Sequence, residues 1–296
     1  MTPPLRYASA KALHDAIKVR AAVEAEHGRY DINQIRRHFA YDRFLTRLFL
    51  DPGSTWVLKG GTGLLARVPQ QARHTQDIDL HYRGEIESAE AELIAAASSD
   101  IGDFFTFDLE QSGTLTGTTS GRKYRVTAYV GDAKFADFQI DAVIDSNMTR
   151  SPDLAPGLRP IDIEGLTTTD YRIYPVVDHL ADKLVAMTST FAGDRPSTRY
   201  RDLVDIVLIA QSQTVNAIEL RIAVESECDH RGHSLPLQLT LPDETWRNGY
   251  SAIARTVPDL SVQGANDALA IAVSLFQPIF DGRADGTWEP AKQRWV

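Results

Sequence analysis

The chain has 296 residues, of which 43% are apolar and 24% charged, and its formal net charge is −9 at pH 7. The length allows one large domain or two ordinary ones, and the acidic balance argues against a surface broadly covered with nucleic-acid-binding charge. A single cysteine, Cys228, excludes an internal disulfide and any metal site built from several cysteines.

A membrane or secreted protein is not expected. No stretch approaches the roughly 20 consecutive apolar residues that a bilayer-spanning helix needs, and the N-terminal run Met1-Thr2-Pro3-Pro4 lacks an apolar signal region. We therefore expect a cytoplasmic protein without a membrane partner.

Two helices are predicted ahead of the first strand. The first spans about residues 9–27 and ends at Gly28, and Asp31 occupies the N-cap position of the second. Four arginines in the second segment are interpreted as a solvated helix face, with phosphate contact as the alternative: Arg36, Arg37, Arg43 and Arg47.

A glycine turn follows a short apolar run. Trp56-Val57-Leu58 leads into Lys59-Gly60-Gly61-Thr62, and Leu64-Leu65 come next, which predicts strand, tight turn and helix. Such a turn presents backbone N–H groups to phosphate, although many Gly-Gly turns only redirect the chain. Because Lys59 precedes the glycines, the run does not match the P-loop of a Walker-type ATPase.

Three acidic residues are the predicted metal ligands. Asp77 and Asp79 share one strand face, since strand residues two apart point to the same side. Asp141 interrupts the apolar run from Ile140 to Ile144, where an unpaired carboxylate would be costly. Clustered carboxylates repel one another unless a proton or cation lies between them, and Mg²⁺ bound by carboxylates and substrate phosphates meets that need. This pattern predicts phosphoryl or nucleotidyl transfer.

The remaining pattern is strand-rich at first and helical from about residue 175. Further elements are predicted as a helix at 86–97, strands at 104–109, 124–130 and 135–144, a turn region at 112–121, and helices near 215–226, 243–256 and 265–277, the last stopped by Pro278. The proline-bearing segment 151–160 is the predicted boundary between a domain at 1–150 and a mainly helical domain at 151–296. We expect an α+β fold with a mixed sheet.

Four blocks of the sequence match a known family. They are Lys59-Gly60-Gly61-Thr62, Arg73 to Leu80, His179 to Leu184, and Arg199 to Asp205. Through these blocks, which span about residues 57–209, the chain resembles the AbiEii-like and MenT nucleotidyltransferase toxins of the DNA polymerase β-like superfamily. Thr62 stands where many polymerase β-like enzymes carry serine, and it keeps the hydroxyl group.

The resemblance implies a toxin of a toxin–antitoxin system that adds nucleotides from an NTP to RNA. In several relatives the acceptor is the 3′ end of tRNA, so that translation is blocked, and a cognate antitoxin protein neutralises the toxin. It implies a polymerase β-like core whose active-site cleft is completed by the helical domain. The implied residues are Asp77, Asp79 and Asp141 for Mg²⁺ or Mn²⁺, Lys59, Gly60, Gly61, Thr62 and Lys183 for the nucleotide, and Asp77, Asp79, Lys183 and Asp205 for catalysis.

Other interpretations of the second-half residues stay open. Lys183 could lay its stem on the core and reach solvent, and Asp205 could pair with Arg201, one helical turn back. A second group of arginines suits RNA contact and ordinary surface charge equally: Arg195, Arg199 and Arg201.

Thr75 is a possible regulatory phosphorylation site. It lies two residues before Asp77, so that phosphorylation would put roughly two negative charges beside the metal carboxylates. An ordinary strand threonine is the favoured alternative.

Two further motifs are interpreted as structural. The run Cys228 to His233 lacks the second ligand cluster that would close a tetrahedral zinc site. Three histidines that could act as general bases are better explained by polar packing: His74, His81 and His179.

Two other functions compete with RNA-directed transfer. The first is an NTP-dependent kinase or a nucleotidyltransferase acting on a small molecule, and the acidic net charge slightly favours such a cationic acceptor. The second is a catalytically silent module that binds a partner protein. The clustered acids and the glycine turn argue against the silent module, which gains nothing from clustered like charges.

Overall fold

The computed structural model describes residues 7–69, 71–115, 120–144, 147–191, 195–234, 236–257 and 259–296. Part of the predicted turn at 112–121 lies outside these residues. The helices of the described chain are α1 (Ala10–Glu26), α2 (Ile32–Phe49), α3 (Gly60–Arg67), α4 (Ile86–Ser98), α5 (Val176–Thr188), α6 (Tyr200–Ser212), α7 (Ala217–Arg231), α8 (Thr245–Ala254) and α9 (Ala265–Phe280). The strands are β1 (Val57–Lys59), β2 (Asp77–Tyr82), β3 (Phe105–Leu115), β4 (Gly121–Val130), β5 (Ala133–Ile144), β6 (Asp153–Pro156), β7 (Asp170–Ile173), β8 (Thr190–Phe191), β9 (Arg195–Pro196), β10 (Val215–Asn216), β11 (Thr287–Glu289) and β12 (Arg294–Trp295).

The chain divides into two compact units. The first comprises the chain up to Pro69 together with residues 74–146 and 154–173, and the second comprises residues 70–73, 147–153 and 174–296. The predicted division into domains at residue 150 stays a prediction, because compactness does not show which segments fold independently.

A seven-stranded mixed sheet, in the order β3-β4-β5-β2-β1-β7-β6, is the centre of the first unit. Strand β2 pairs in parallel with β5 and antiparallel with β1, while β4 pairs antiparallel with both β3 and β5. Such a sheet joins segments distant in sequence, since β2 and β5 are separated by two other strands along the chain. The expected α+β fold with a mixed sheet is confirmed.

Local sequence chemistry sets the N-termini of the first two helices. The Ser9 side chain accepts a hydrogen bond from the backbone N–H of Ala12 at the start of α1. At α2, Asp31 and Gln34 form a reciprocal capping box, which satisfies N–H groups that have no partner within the helix. The predicted N-cap at Asp31 is confirmed.

The two faces of the sheet differ in polarity. On β5, Phe138, Ile140 and Ala142 are buried, whereas Gln139 and Asp141, which point to the opposite face, are not. The buried face packs against α1, α2 and α4. Period-two alternation along the strands therefore leaves the other face of the sheet, within this unit, lined with polar side chains.

The interpretation of the α2 arginines as a solvated face is wrong for Arg43 and Arg47. Both are buried, and Arg47 binds both carboxylate oxygens of Asp103, at 3.0 and 2.6 Å. Arg43 pairs with Asp42 and donates to the Thr167 carbonyl at 2.9 Å. The C-terminal half of α2 is buried on every side, so its charged groups are paired inside the unit, as buried charges must be.

The second unit is built around helices. Helix α5 packs against α6 and α7, and α6 packs against α8 and α9. Helix α9 continues two residues past Pro278, which corrects the predicted stop at that residue. Burial of Phe276 and Ile279 holds this last turn, where the proline removes only one backbone donor. No helix in the described part of the chain is long and apolar enough to cross a membrane.

Candidate active site

The glycine turn lies against Asp79. Gly60 has φ +57, in the left-handed region, and a Cβ at this position would lie 1.7 Å from Asp79 Oδ2. Thr62 is fully buried, and its Oγ1 donates to the Asp77 carbonyl at 2.6 Å, which ties the turn to β2. Glycine is therefore required at position 60 both by the backbone angle and by the approach of the carboxylate.

The turn also forms the start of α3. Gly60, Gly61 and Thr62 are the first three residues of this helix. Their backbone N–H groups belong to the helical positions that lack an intrahelical acceptor, and the positive end of the helix dipole lies at the same terminus. This arrangement can bind a phosphate group.

A row of four charged residues crosses four adjacent strands. Strand pairing aligns Lys59 with Asp79, Asp79 with Asp141, and Asp141 with Lys123. Neighbouring strands lie about 4.8 Å apart, so the two central carboxylates are close neighbours with a lysine on each outer side. We call Lys59, Asp79, Asp141 and Lys123 the charged row.

Asp77 stands one pleat from this row, on the same face of β2. It aligns with Gln139 of β5, and its Oδ1 accepts a hydrogen bond of 3.0 Å from the Thr75 hydroxyl. Thr75 is only 2% exposed. The three carboxylates predicted as metal ligands thus belong to one face of two adjacent parallel strands.

The side chain of Asp141 points towards Lys123. Lys123 Nζ lies 2.8 Å from Asp141 Oδ2, and Asp141 Oδ1 is buried without a hydrogen-bond partner among the described residues. As their side chains stand, no three His, Cys, Asp or Glu residues of the described chain converge into a metal site. Sequence reasoning missed Lys123, although its place on the polar face of an alternating strand was a usable signal.

The second unit contains a separate buried charge cluster. Lys183 Nζ lies 2.6 Å from Asp205 Oδ2 and 3.2 Å from Asp202 Oδ1, while Arg73 binds Asp205 through two 3.0 Å hydrogen bonds. The suggested pairing of Asp205 with Arg201 is therefore wrong. Arg73 was missed as a partner because it is distant from Asp205 in sequence and only folding brings them together.

The cluster holds Lys183 and Asp205 in their charged forms. Burial alone would raise the pKa of Asp205, but the positive charges of Arg73 and Lys183 hold that pKa well below its usual value. Burial alone would lower the pKa of Lys183, yet Asp205 and Asp202 raise it. Lys183 does not reach solvent, so the interpretation of a lysine extended to the surface is wrong.

The three arginines of the second group differ in their surroundings. Arg195, in β9, and Arg201, in α6, are exposed. Arg199 is exposed as well, and its Nε donates to Asp202 at 2.5 Å, which extends the buried cluster towards the surface. Their proposed contact with RNA stays a prediction.

The histidines occupy packed positions. His74 Nδ1 lies 2.9 Å from His38 Nε2, and His74 Nε2 lies 3.3 Å from Arg37. Burial, with Lys59 and Arg83 adding to it, lowers the pKa of His81 to about 4, so this residue is neutral at pH 7. His179 is buried as well.

The Cys228 to His233 segment is part of α7 and its C-terminal end. Burial, more than the nearby acids, raises the pKa of the Cys228 thiol to about 11, which disfavours the thiolate that zinc requires. Cys228 is buried in α7, as the structural interpretation expects.

A family profile described as a nucleotidyl transferase AbiEii toxin of a type IV toxin–antitoxin system matches residues 43–270, more than half of the chain. The chain belongs to the AbiEii nucleotidyl transferase toxin family. The matched region contains the glycine turn, the charged row, Asp77 and the buried charge cluster. No curated protein shows a significant sequence match.

Membership of the AbiEii family confirms the resemblance found in the four sequence blocks. The mixed sheet and its helices are consistent with a polymerase β-like nucleotidyltransferase fold. The protein is a nucleotidyltransferase toxin, and a type IV toxin–antitoxin system implies an antitoxin partner.

Proposed function

We propose that this AbiEii protein transfers nucleotides from an NTP to an RNA acceptor, the 3′ end of tRNA, and thereby blocks translation. The observation that carries the proposal is the alignment of Asp79 with Asp141 beside a glycine turn in which Gly60 lies against the Asp79 carboxylate. In this reaction the 3′-hydroxyl loses its proton and its oxygen bonds to the α-phosphorus. The bond from that phosphorus to pyrophosphate breaks.

Mg²⁺ or Mn²⁺ is the proposed cofactor, held by Asp77, Asp79 and Asp141. The fit rests on the donor set, which consists of hard carboxylate oxygens on one sheet face, and on the unpartnered Oδ1 of Asp141. When bound, the ion would neutralise phosphate charge and favour ionisation of the attacking hydroxyl. Lys123 supplies positive charge beside Asp141 in the described structure.

The remaining proposed roles follow from charge and position. The backbone of Gly60, Gly61 and Thr62 is positioned to bind the triphosphate, with Lys59 beside it. Asp205 acts as a positioning residue for Lys183, to which it binds directly. Contact of Lys183 with substrate phosphate stays a prediction, since Asp202 and Asp205 surround its ammonium group.

Transfer of the nucleotide should be visible with labelled donors. Purified protein is incubated with Mg²⁺, total tRNA and each NTP in turn, labelled at either the α- or the γ-phosphorus. We expect label on tRNA from an α-labelled NTP only, because γ-phosphorus leaves in pyrophosphate. Oxidation of the tRNA 3′-terminal diol with periodate should abolish labelling, as should chelation of the divalent ion.

Other results would redirect the proposal. Transfer of the γ-label would identify a kinase. The acidic net charge of −9 favours a cationic small acceptor as the second candidate, and label on an aminoglycoside with none on RNA would support it. Labelling that survives periodate treatment would contradict the 3′ end as acceptor.

Thr75 provides a second prediction for this site. Thr75→Glu is expected to lower transfer at least tenfold, because a carboxylate would replace the hydroxyl that donates to Asp77 and would add negative charge beside it. Thr75→Ser keeps the donor and serves as the matched control in the same labelling assay. Full activity of a folded Thr75→Glu protein would contradict the regulatory hypothesis. Since Thr75 is buried, a kinase would need this segment to open locally.

A further inference from the structure

A polar cavity of about 620 Å³ adjoins Asp77 within the first unit. Its walls come from α2, from Gln76 and Asp77 at the start of β2, and from β4 and β5. The lining residues are Arg37, Gln76, Asp77, Arg125, Thr127, Lys134, Asp137, Phe138 and Gln139.

Strand register fixes the place of this cavity relative to the carboxylates. Asp77 aligns with Gln139, and Gln139 aligns with Arg125, so these three side chains form a second row across β2, β5 and β4. This row lies two residues along the strands from the charged row, a distance of roughly 7 Å. A molecule in the cavity would therefore have one end beside the carboxylates.

Three cations from separate elements line the cavity: Arg37 from α2, Arg125 from β4 and Lys134 from β5. Arg125 and Lys134 have 58% and 60% of their side chains exposed, and their acidic partners, Glu110 at 3.5 Å and Asp137 at 2.8 Å, are also exposed. Surface ion pairs of this kind contribute little, so both cations can exchange their partners for a phosphate.

The lining favours a phosphate backbone over a base. Phe138 is the only aromatic residue among the lining residues, and it is 4% exposed because its ring belongs to the core beneath the sheet. The described lining residues therefore provide no exposed aromatic ring on which a base could stack, and Tyr129, aligned with Lys134, is not one of them. Positive charges that track a backbone are the other common means of binding single-stranded nucleic acid.

We propose that this cavity binds backbone phosphates of the RNA acceptor strand next to its 3′ end. The inference rests on the proposed function, since it places the acceptor whose 3′-hydroxyl the carboxylates would serve. Arg125 and Lys134 bind the phosphates of the RNA strand and make no base-specific contacts. The three lining cations offset the repulsion between the polyanionic acceptor and the carboxylates.

The test compares two matched double variants. Arg125→Gln/Lys134→Gln removes the two exposed cations of the cavity. Arg247→Gln/Lys292→Gln removes two cations of similar exposure, 57% and 51%, which form ion pairs with Glu244 and Glu289 in the second unit. Both pairs of side chains are at the surface, so neither variant should lose its fold, which thermal unfolding checks.

Three quantities are measured for each protein. They are the affinity for total tRNA without NTP at several salt concentrations, the KM for tRNA and the KM for NTP. The cavity variant should bind tRNA about tenfold more weakly, and its salt dependence should fall by about 0.7 for each cation removed. Its KM for NTP should stay unchanged, and the matched variant should behave as the unmodified protein.

The measurements distinguish failure of the cavity assignment from failure of the proposed function. Unchanged tRNA affinity and KM in the cavity variant, with normal transfer, would overturn the cavity assignment and leave the proposed function standing. A raised KM for NTP with unchanged tRNA affinity would make the cavity a triphosphate site and overturn the assignment as well. Absence of transfer to tRNA by the unmodified protein would overturn both.

Discussion

Replacement of Asp79 by asparagine is expected to lower the rate of nucleotide transfer by about a thousandfold while the protein stays folded. Asparagine keeps the shape of the side chain against Gly60 but removes the negative charge that faces Asp141 in the next strand. With that charge lost, the site holds a divalent cation and the triphosphate less well, whereas the packing of β2 is unaffected.

The measurement is initial rates of tRNA labelling with the preferred NTP. Asp108→Asn is the matched control, because Asp108 is an exposed acid on the polar face of β3, in the same sheet. The control should keep the rate of the unmodified protein, and thermal unfolding of both variants should coincide with it. More than a tenth of the original rate in Asp79→Asn would contradict the assigned role.

Removal of Asp205 is expected to lower the free energy of unfolding by about 3–5 kcal/mol. Asp205 is 0% exposed and accepts hydrogen bonds from both Arg73 and Lys183. Asp205→Ala would leave the guanidinium of Arg73 without its bidentate partner, and Lys183 would keep only Asp202. The physical cause is the removal of one negative charge from a buried cluster of paired charges.

Urea unfolding of three variants would test this expectation. Asp281→Asn is the surface control, since its pair with Arg283 is exposed and should contribute little to stability. The double variant Lys183→Met/Asp205→Leu should recover part of the loss, because apolar groups can replace a buried ion pair. A change below about 1 kcal/mol for Asp205→Ala would contradict the inference.

The same cluster predicts an acid limit to stability. The pKa of Asp205 is lower in the folded protein than in the unfolded chain, so the unfolded chain binds the proton more tightly. The contribution of Asp205 to the free energy of unfolding is complete above the ordinary carboxyl pKa of about 4, and it is lost as the pH falls below that value. Asp205→Asn should unfold with a weaker pH dependence in that range.

Features that depend on neighbouring residues could be predicted from the sequence. The N-cap at Asp31 follows from capping chemistry, and the shared face of Asp77 and Asp79 follows from the period of a strand. The glycine turn was predicted in the same way, since its apolar flanks and two glycines are contiguous. The resemblance to the AbiEii family was also found from four contiguous sequence blocks, and the family profile confirms it.

Tertiary structure alone decided which distant groups meet. Four such features join segments that are separated by many residues. They are the alignment of Asp79 with Asp141, the ion pair of Lys123 with Asp141, the burial of Arg43 and Arg47, and the binding of Arg73 to Asp205. Local periodicity assigns a side chain to a face but carries no information about strand register or about which counter-charge shares a buried site. Strand register and ion-pair partners are set by the packing of the whole unit. Only in the packed unit are charges buried, and there the cost of desolvating them is offset by pairing with an opposite charge.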